Sequence, residues 1–390
     1  MNEPNVASRD SRKIIRIVTV DLSLGLMQGQ LNYLNQYFEV LAISSPGPRV
    51  TAAEKREGIQ VITVPMERRM APFKDIVSLV RLYKVLKKEK PFIVHSLTPK
   101  AGLLGMMAAY LAKVPHRLHT FTGLIFPYKQ GFIQKLLITT DRLLCRCATR
   151  IFPEGEGVKK DLQKYRITDK PLEVIANGNI NGIDIEYYNP ERFSSTDRST
   201  IRKQYDIPEG YFVYIFVGRL VTDKGINELV SAFDTVQKKF KNSILLLVGP
   251  YENDLDPVRP ETEEAIRTHT HIRSVGWQND VRPFMAVSDV LTFPSYREGF
   301  PNVVLQAGAM ALPSIVTDIS GCNEIVREEY NGVIIPSKDE NMLVQAMIKI
   351  QDKAALRQQM AKNARPEIIK KYRREWVWQS LLKEYQNLEI

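Results

Sequence analysis

Two patterns of apolar residues alternate along this chain of 390 residues. Short runs of β-branched and aliphatic residues are typical of buried strands, whereas apolar residues three and four positions apart predict helices. In the first half, the predicted strands are residues 13–20, 39–45, 61–64, 92–95 and 117–120, and the predicted helices are residues 30–37, 74–88 and 100–113. The alternation restarts after residue 198, with a strand at 211–217, a helix at 225–240, a strand at 244–248 and closing helices at 341–351, 353–370 and 375–386.

This alternation predicts an α/β protein with parallel sheets that carry helices on both faces. Because the pattern restarts, we predict two doubly wound, Rossmann-like domains at residues 13–190 and 191–371, preceded by a polar, disordered segment at residues 1–12. Glycine, asparagine and proline mark the junction at residues 176–200. Ligands of doubly wound sheets bind beyond the carboxyl ends of the strands, so two such domains facing each other favour a cleft between them and a two-substrate enzyme.

Composition and charge limit the partners. The net charge of +10 favours a polyanionic partner, and eight Lys or Arg residues stand against three Asp or Glu residues between positions 67 and 90. No RNA-binding motif with interleaved aromatic residues accompanies this basic segment, which argues against nucleic acid. An anionic membrane surface and a plain solvated helix face both explain the segment at this stage.

Cysteine usage and apolar run length address the compartment. The three cysteines are too few for a disulfide framework and are interpreted as reduced thiols. No signal peptide is visible, and the longest apolar stretch, residues 101–114, is shorter than the roughly 20 residues that a bilayer requires. The sequence therefore predicts a cytoplasmic protein and leaves peripheral contact with the inner face of the cell membrane open.

The richest segment for chemistry is residues 297–325, REGFPNVVLQAGAMALPSIVTDISGCNEI. Glu298 opens a small turn that feeds an apolar helix beginning near Asn302. The start of a buried helix presents unpaired N–H groups and the positive end of the helix dipole, which suits a diphosphate. A carboxylate would be repelled by phosphate, so Glu298 is expected to face hydroxyl groups such as those of a sugar.

A second turn offers two cations. The predicted strand at residues 211–217 ends in Gly218-Arg219, and Lys224-Gly225 follows before the next helix. Arg219 presents a planar fork for phosphate oxygens and Lys224 a point charge. Taken alone, a surface turn with solvated cations explains these residues equally well.

Together, these two segments resemble the nucleotide-sugar signature of retaining glycosyltransferases of the GT-B fold, family GT4, of the bacterial capsule and O-antigen type. The resemblance implies that the first domain handles the acceptor and the second the nucleotide sugar. It also implies that a C-terminal helix, residues 372–390, crosses back to the first domain.

The family motifs assign roles to residues of the second half. The family's matching arginine and lysine, here Arg219 and Lys224, grip the diphosphate, and Glu298 matches the first glutamate of the E-x7-E motif, which contacts the donor sugar. The second position of that motif is Gln306, an amide that keeps an acceptor and a donor for the ribose hydroxyls but lacks the charge. The other implied nucleotide contacts are Gly218, the backbone N–H groups of Asn302, Val303 and Val304, and Trp277 beside the base.

Three residues of the first half also match. His119, at the end of a predicted strand, resembles the active-site histidine beside the donor sugar. Gly29 resembles a glycine of the flexible first loop, although the usual second glycine is absent. For His95, which also ends a strand, an acceptor pocket and a satisfied core histidine are equally good explanations.

The function implied by the resemblance is transfer of a sugar from a nucleotide sugar, with UDP favoured, to a saccharide or polyprenyl-diphosphate-linked saccharide. Catalytic roles fall to His119, Glu298, Arg219 and Lys224. No cofactor or metal is expected, because the two cations can neutralise the diphosphate and the tripeptide Asp254-Leu255-Asp256 lies in a polar loop outside these motifs.

Two other functions stay open. A GT-B nucleotide-sugar 2-epimerase would release the sugar from the nucleotide without an acceptor, although its additional catalytic groups are not found in the second half. A non-catalytic sugar-nucleotide-binding partner gains slight support from Gln306. The four intact polar residues of the implied catalytic set argue against it.

Overall fold

A computed structural model describes residues 10–252, 254 and 256–389 of the chain. Contacts between residues divide the chain into two units. The first takes in the described residues up to Gly182 together with those from Arg374 onward, and the second is Ile183–Arg373.

Each unit is built around one six-stranded parallel sheet. The first sheet contains β1 (Lys13–Ile17), β2 (Glu39–Ser44), β3 (Gln60–Thr63), β4 (Ile93–Leu97), β5 (His116–Phe121) and β6 (Arg150–Pro153). The second contains β7 (Phe212–Val217), β8 (Ser243–Val248), β9 (Ile272–Ser274), β10 (Val290–Phe293), β11 (Ser314–Thr317) and β12 (Gly332–Ile335). Central strands such as β7, FVYIFV, are continuously apolar because helices cover both faces of a parallel sheet.

Helices connect the strands and cover the sheets. In the first half they are α1 (Gln30–Asn35), α2 (Val50–Glu57), α3 (Pro72–Glu89), α4 (Pro99–Leu111), α5 (Gly131–Cys147) and α6 (Glu156–Lys164). They continue with α7 (Ser195–Gln204), α8 (Ile226–Lys239), α9 (Pro260–Thr268), α10 (Arg282–Ala286), α11 (Asn302–Ala309), α12 (Cys322–Ile325), α13 (Glu340–Asp352), α14 (Ala354–Tyr372) and α15 (Arg374–Gln386).

Strand order fixes where each sheet can bind a ligand. The orders are β3-β2-β1-β4-β5-β6 and β12-β11-β10-β7-β8-β9, the Rossmann order in both units. The predicted α/β class with two doubly wound sheets is therefore confirmed. In the second sheet the order reverses between β7 and β10, so the loops that follow these two strands flank the crevice where such sheets bind ligands.

The boundary between the units lies eight residues earlier than the predicted one, at 182 rather than 190. Ile183 and Ile185 explain the difference, because both are buried in the core of the second unit. At the other end, the second unit extends to Arg373 rather than 371. Of the segment predicted to be disordered, residues 1–9 lie outside the described residues, and the backbone N–H of Asp10 donates to the Tyr37 carbonyl at 2.9 Å.

The last helix, α15, belongs to the first unit. Trp378 packs on Gly29, where an added Cβ atom would lie 2.8 Å from the indole ring. Tyr385 is fully buried, and its hydroxyl lies 2.6 Å from His95 Nδ1. The last helix therefore completes the hydrophobic core around the first sheet.

Helix α3 departs from the predicted pattern. In the predicted helix 74–88, the apolar residues Ile76, Leu79, Val80, Tyr83 and Leu86 recur at one-face spacing, which indicates a buried face. Of these residues Leu86 is buried and Leu79 and Tyr83 are half-buried, whereas Ile76 and Val80 are exposed, and the buried face is centred on Ser78, Leu82 and Leu86. A helix with apolar residues on more than one face can bury only one of them against its own sheet, so the other is left on the surface.

Candidate functional site

The predicted cations of the second unit lie at the crevice between β7 and β10. Gly218 and Arg219 directly follow β7, and Lys224 ends a short 3-10 turn before α8. Gly225 has a left-handed φ of 72°, and a Cβ atom there would lie 2.2 Å from the Pro294 carbonyl oxygen. Only glycine therefore lets the loop after β7 pack this closely on the loop after β10.

Glu298 and Lys224 form the centre of this site. The Lys224 ammonium contacts the Glu298 carboxylate, and both side chains are largely buried. The Ser295 hydroxyl donates to Glu298 Oε1 at 2.8 Å, and Thr317 Oγ1 donates to the Ser295 carbonyl at 2.5 Å. The carboxylate is thus held by a cation and a hydroxyl from two different loops, which fixes its direction.

Arg219 also has a carboxylate partner. Its guanidinium forms an ion pair with Glu252, in the loop after β8. The neighbouring loops are tied together by Arg297, which pairs with Asp223 at 2.6 Å. Each of these three cations, Arg219, Lys224 and Arg297, is therefore balanced by a carboxylate when no ligand is bound.

Helix α11 begins beside these loops. Pro301 is its N-cap and provides no side-chain cap, but its carbonyl accepts from the Val304 N–H at 3.1 Å, so that N–H group, predicted to bind phosphate, already has a partner. Gln306 is half-buried one turn later, and its amide makes no hydrogen bond to any residue that the structure describes. An uncapped helix start of this kind is suited to bind phosphate oxygens.

Trp277 follows β9 at the edge of the second sheet. Its side chain is exposed, with a relative accessibility of 58%, and its Nε1 donates to Asn279 Oδ1 at 3.3 Å. Gly276, with a φ of 65°, turns the chain there, and its carbonyl accepts from the Gly249 N–H at 2.9 Å. The indole face is thus available for a flat ligand such as a nucleobase.

The acidic tripeptide predicted to be solvated lies in the loop after β8. Asp256 accepts a hydrogen bond from the Asp223 N–H at 2.7 Å, so it supports the loop of the cations, and Leu255 lies outside the described residues. Over the part of the chain that the structure describes, no group of three or more His, Cys, Asp or Glu residues could hold a metal ion.

In the first unit, His119 lies in β5 and is 1% exposed. Its Nδ1 is 2.8 Å from the Ser96 hydroxyl, and burial lowers the pKa of the imidazole to about 3. The ring is therefore neutral at physiological pH, and its Nε2 has no partner among the described residues. Gly102 makes room for it, because a Cβ atom there would lie 2.5 Å from His119 Cε1.

The polar groups of His95 and Gly29 already form hydrogen bonds within the first unit. The Nε2 of His95 lies 2.8 Å from Thr120 Oγ1, so both ring nitrogens have partners within the first unit, as in a core histidine. The Gly29 N–H donates to both carboxylate oxygens of the buried Glu57, at 2.9 and 3.0 Å. A ligand at Gly29 would have to replace that interaction.

Several site residues escaped the sequence interpretation. Ser295 and Glu252 position the predicted residues, yet a lone serine and a loop glutamate carry no distinguishing pattern. The signal available for Ser295 was its position at the carboxyl end of β10, where the loop of a doubly wound sheet enters the crevice. All three cysteines are free and buried, and none lies within the predicted ligand set.

Sequence profiles of two families match the chain. The profile described as Glycosyltransferase Family 4 matches residues 31–179, and the one described as Glycosyl transferases group 1 matches residues 197–367. The chain is 30% identical over 380 residues to CapM of Staphylococcus aureus, described as a capsular polysaccharide biosynthesis glycosyltransferase. That alignment covers 96% of this chain and 97% of the relative.

A second relative is the UDP-Gal:alpha-D-GlcNAc-diphosphoundecaprenol alpha-1,3-galactosyltransferase of Escherichia coli. It is 29% identical over 344 residues, which are 86% of this chain and 85% of that protein. Among solved structures, Anabaena Alr3699/HepE in complex with UDP and glucose has a TM-score of 0.83 at 16% identity, with 97% of this chain and all of the other covered.

Fold and sequence therefore define a glycosyltransferase with the GT-B architecture. The chain belongs to the family 4, group 1 glycosyltransferases, and the predicted family, fold and enzyme class are confirmed.

Proposed function

We propose that this enzyme transfers a hexose from a UDP-sugar to a lipid-linked saccharide, with retention of the anomeric configuration, during synthesis of a cell-surface polysaccharide. Support comes from two relatives, the capsular glycosyltransferase and the galactosyltransferase whose name specifies UDP-Gal and a diphosphoundecaprenol-linked acceptor. A third, from Campylobacter jejuni, is also named for a diphospho-undecaprenol substrate, at 25% identity.

The observation that carries the proposal is the set of paired cations at the switch point of the second sheet. Arg219 and Lys224 are held by Glu252 and Glu298 beside an uncapped helix start. A nucleotide diphosphate would exchange the carboxylate of Glu252 for phosphate oxygens. The charge that develops on the leaving diphosphate would then meet groups already in place, which lowers the barrier without reorganisation.

The remaining site residues take roles that follow from their chemistry. Glu298 accepts hydrogen bonds from sugar hydroxyls, Gln306 bonds the ribose, and Trp277 stacks on the base. His119 is neutral, so it acts as a hydrogen-bonding group rather than as a cation. No metal is required in this scheme, since the two cations and the helix dipole supply the positive charge.

The test is nucleotide release from UDP-glucose, UDP-galactose and their N-acetylated forms, with and without undecaprenyl-diphosphate-N-acetylglucosamine. We expect rapid release of UDP only with acceptor, together with an α-linked product. Rapid release without acceptor would favour the 2-epimerase. UDP-sugar binding without any release would favour the non-catalytic partner.

We further propose that the first unit lies on the cytoplasmic face of an anionic membrane through a patch on α3, α4 and α5. Helix α4 packs between the other two. The patch exposes large apolar side chains, of which Phe73 is 87% and Phe132 79% accessible. The others are Ile76, Val77, Val80, Tyr110, Leu111, Ile133 and Leu136. Exposed apolar clusters of this size mark interaction surfaces.

Basic residues extend the same surface. The end of α3 carries Lys84, Lys87 and Lys88, all exposed, with Arg68 and Arg69 before its start. Each Lys or Arg close to an anionic bilayer contributes about 1 kcal/mol. No helix within the described residues is long and apolar enough to cross a bilayer.

Vesicle flotation tests the patch. We expect Phe132→Ser to weaken binding to phosphatidylglycerol vesicles several-fold, while Trp376→Ser, which removes another exposed aromatic ring, on α15, has no effect. Binding should also fall as salt shortens the Debye length from about 10 Å at 0.1 M to about 3 Å at 1 M. Equal binding of neutral and anionic vesicles would contradict the proposal.

A further inference from the structure

Helix α5 carries an aspartate that none of the roles above explains. Asp141 is half-buried in the middle of the helix, so it caps neither end. Among the residues that the structure describes, none donates a hydrogen bond to its carboxyl group or forms an ion pair with it. Aspartate is a poor residue for a helix interior, and a carboxyl group without partners loses solvation on burial. The helix and its packing therefore do not account for this residue.

Asp141 lines a small cavity that His119 also lines. The cavity has a volume of about 20 Å³, enough for one water molecule or one hydroxyl group. Its walls are mainly apolar, and the polar side chains on it are those of Asp141, His119, Thr98 and Thr122. His119 and Asp141 thus line one cavity of hydroxyl size, and each side chain has a polar group without a partner among the described residues.

The electrostatics of the cavity favour a neutral ligand. Burial raises the pKa of Asp141 to about 7, and it lowers the pKa of His119 to about 3. Neither side chain is a cation at neutral pH, so the cavity is a poor site for phosphate. A hydroxyl group can donate to an ionised carboxylate and accept from a protonated one, so it suits Asp141 in either state.

We propose that Asp141 binds the acceptor: its carboxyl group hydrogen-bonds one hydroxyl of the acceptor saccharide in the cavity beside His119. This inference rests on the proposed function. The membrane patch points to the acceptor rather than the donor, because Phe132 and Leu136 lie on the same helix as Asp141. The Phe132 position is nine residues earlier, about 14 Å along the helix axis. At about 100° per residue Phe132 and Asp141 lie on opposite faces of α5, so the patch holds the lipid near this helix and the saccharide must pass around the helix to reach the cavity.

A purely structural role makes the opposite prediction for stability. If Asp141 supported the fold, its removal would lower the melting temperature. Because its carboxyl group has no partner, we expect Asp141→Leu to melt at the same temperature as the parent or higher. Asp141→Asn keeps the shape and one acceptor oxygen, so it should behave as an intermediate.

The experiment measures acceptor and donor use separately, with undecaprenyl-diphosphate-N-acetylglucosamine and the best UDP-sugar of the four. For Asp141→Leu we expect kcat/KM for the acceptor to fall about tenfold to a hundredfold, the range for loss of a charge-assisted hydrogen bond. The affinity for UDP, measured by calorimetry, should stay within about twofold of the parent.

Asp161→Asn is the matched control, because Asp161 lies on α6 in the same unit, its pKa is also raised by burial, and it does not line the cavity. Unchanged acceptor use by Asp141→Leu would overturn the inference, and so would a joint fall in melting temperature, UDP affinity and acceptor use. If the parent enzyme used no lipid-linked acceptor, the proposed function itself would fail. That result is distinguishable from failure of the inference alone, in which the parent uses the acceptor and Asp141→Leu uses it equally well.

Discussion

The polar groups at the two candidate sites are organised in opposite ways. In the second unit, Arg219 and Lys224 are charged and paired with carboxylates on loops at the switch point. In the first unit, His119 is neutral and buried, and Asp141 has no partner among the described residues. The difference indicates different ligands: exchangeable ion pairs suit a diphosphate, whereas groups without positive charge on a small cavity suit a hydroxyl.

We expect the largest effect from removing one of the paired cations of the second unit. We predict that Arg219→Ala weakens UDP binding by roughly 2–4 kcal/mol, the scale for losing a charge-assisted partner, with the fold intact. Calorimetry with UDP provides the measurement. Arg273→Ala is the control, because among the described residues Arg273 donates hydrogen bonds to backbone carbonyls and to no carboxylate. An unchanged UDP affinity for Arg219→Ala would remove this residue from the site.

The neutral state of His119 predicts a dependence of stability on pH. Burial holds its pKa at about 3 in the native state against an ordinary value of 6.5, so between these pH values the unfolded chain binds a proton that the native protein does not. Stability from this residue is therefore present above pH 6.5 and is lost as the pH falls toward 3. At about 1.4 kcal/mol per pH unit, the loss should reach about 2 kcal/mol at pH 5.

Denaturant unfolding at pH 5 and pH 8 measures this loss. The loss should be smaller in His119→Asn than in the parent, whereas His116→Asn, at a half-buried position of the same strand, should change it less. An identical loss in the parent and His119→Asn would mean that His119 is protonated in the native state.

Substitutions of Gln306 test whether its amide hydrogen-bonds the ribose of the nucleotide. We predict that Gln306→Leu weakens UDP binding by about 1–2 kcal/mol, since a ribose hydroxyl would lose its partner. Gln306→Glu should change the affinity by less, because the stronger acceptor also brings a negative charge toward the diphosphate. Parent-like binding and turnover by the Leu variant would show that Gln306 only packs.

Substitution of Glu252 should give the smallest change in UDP affinity, and it should strengthen binding rather than weaken it. Glu252→Gln removes the carboxylate that holds Arg219, so UDP should bind more tightly, by about 0.5–1 kcal/mol, because the pair is partly exposed and screened. Glu264→Gln breaks an exposed pair with Arg267 elsewhere in the unit and should change nothing. Weaker UDP binding by Glu252→Gln would mean that Glu252 assists the ligand rather than competes with it.

The fold could be predicted because both sheets are buried on two faces, so their strands are unmistakable apolar runs. Elements without such runs were missed. Helix α7 has no buried residue and hence no apolar period, although its capping box of Ser194 and Asp197 was a usable signal. Strand β6 is only four residues long and begins three residues after the end of α5, and neither element was predicted.

The residues of the two candidate sites also differ in whether local sequence could identify them. The positions of the two cations and Glu298 in neighbouring loops could be predicted because a strand end, a glycine turn and a helix start are local in sequence. Ser295, Glu252 and Asp141 were not, since each acts through a neighbour that only the fold supplies. An aspartate on a helix is usually solvated, and nothing local in the sequence marks Asp141 as lining a cavity together with His119.

The position of α15 has a consequence for the order of biosynthesis. All six strands of the first sheet lie before residue 154, yet Leu381, Leu382, Tyr385 and Leu388 complete one of the cores of that unit. The ribosome must therefore make the whole second unit before the first can be finished. Until then, the faces of Phe38, His95 and Gly29 that α15 covers would be open to water. This surface of the nascent chain would therefore stay exposed to aggregation until synthesis ends. A chain stopped at residue 373 should accordingly show unfolding of the first sheet before the second.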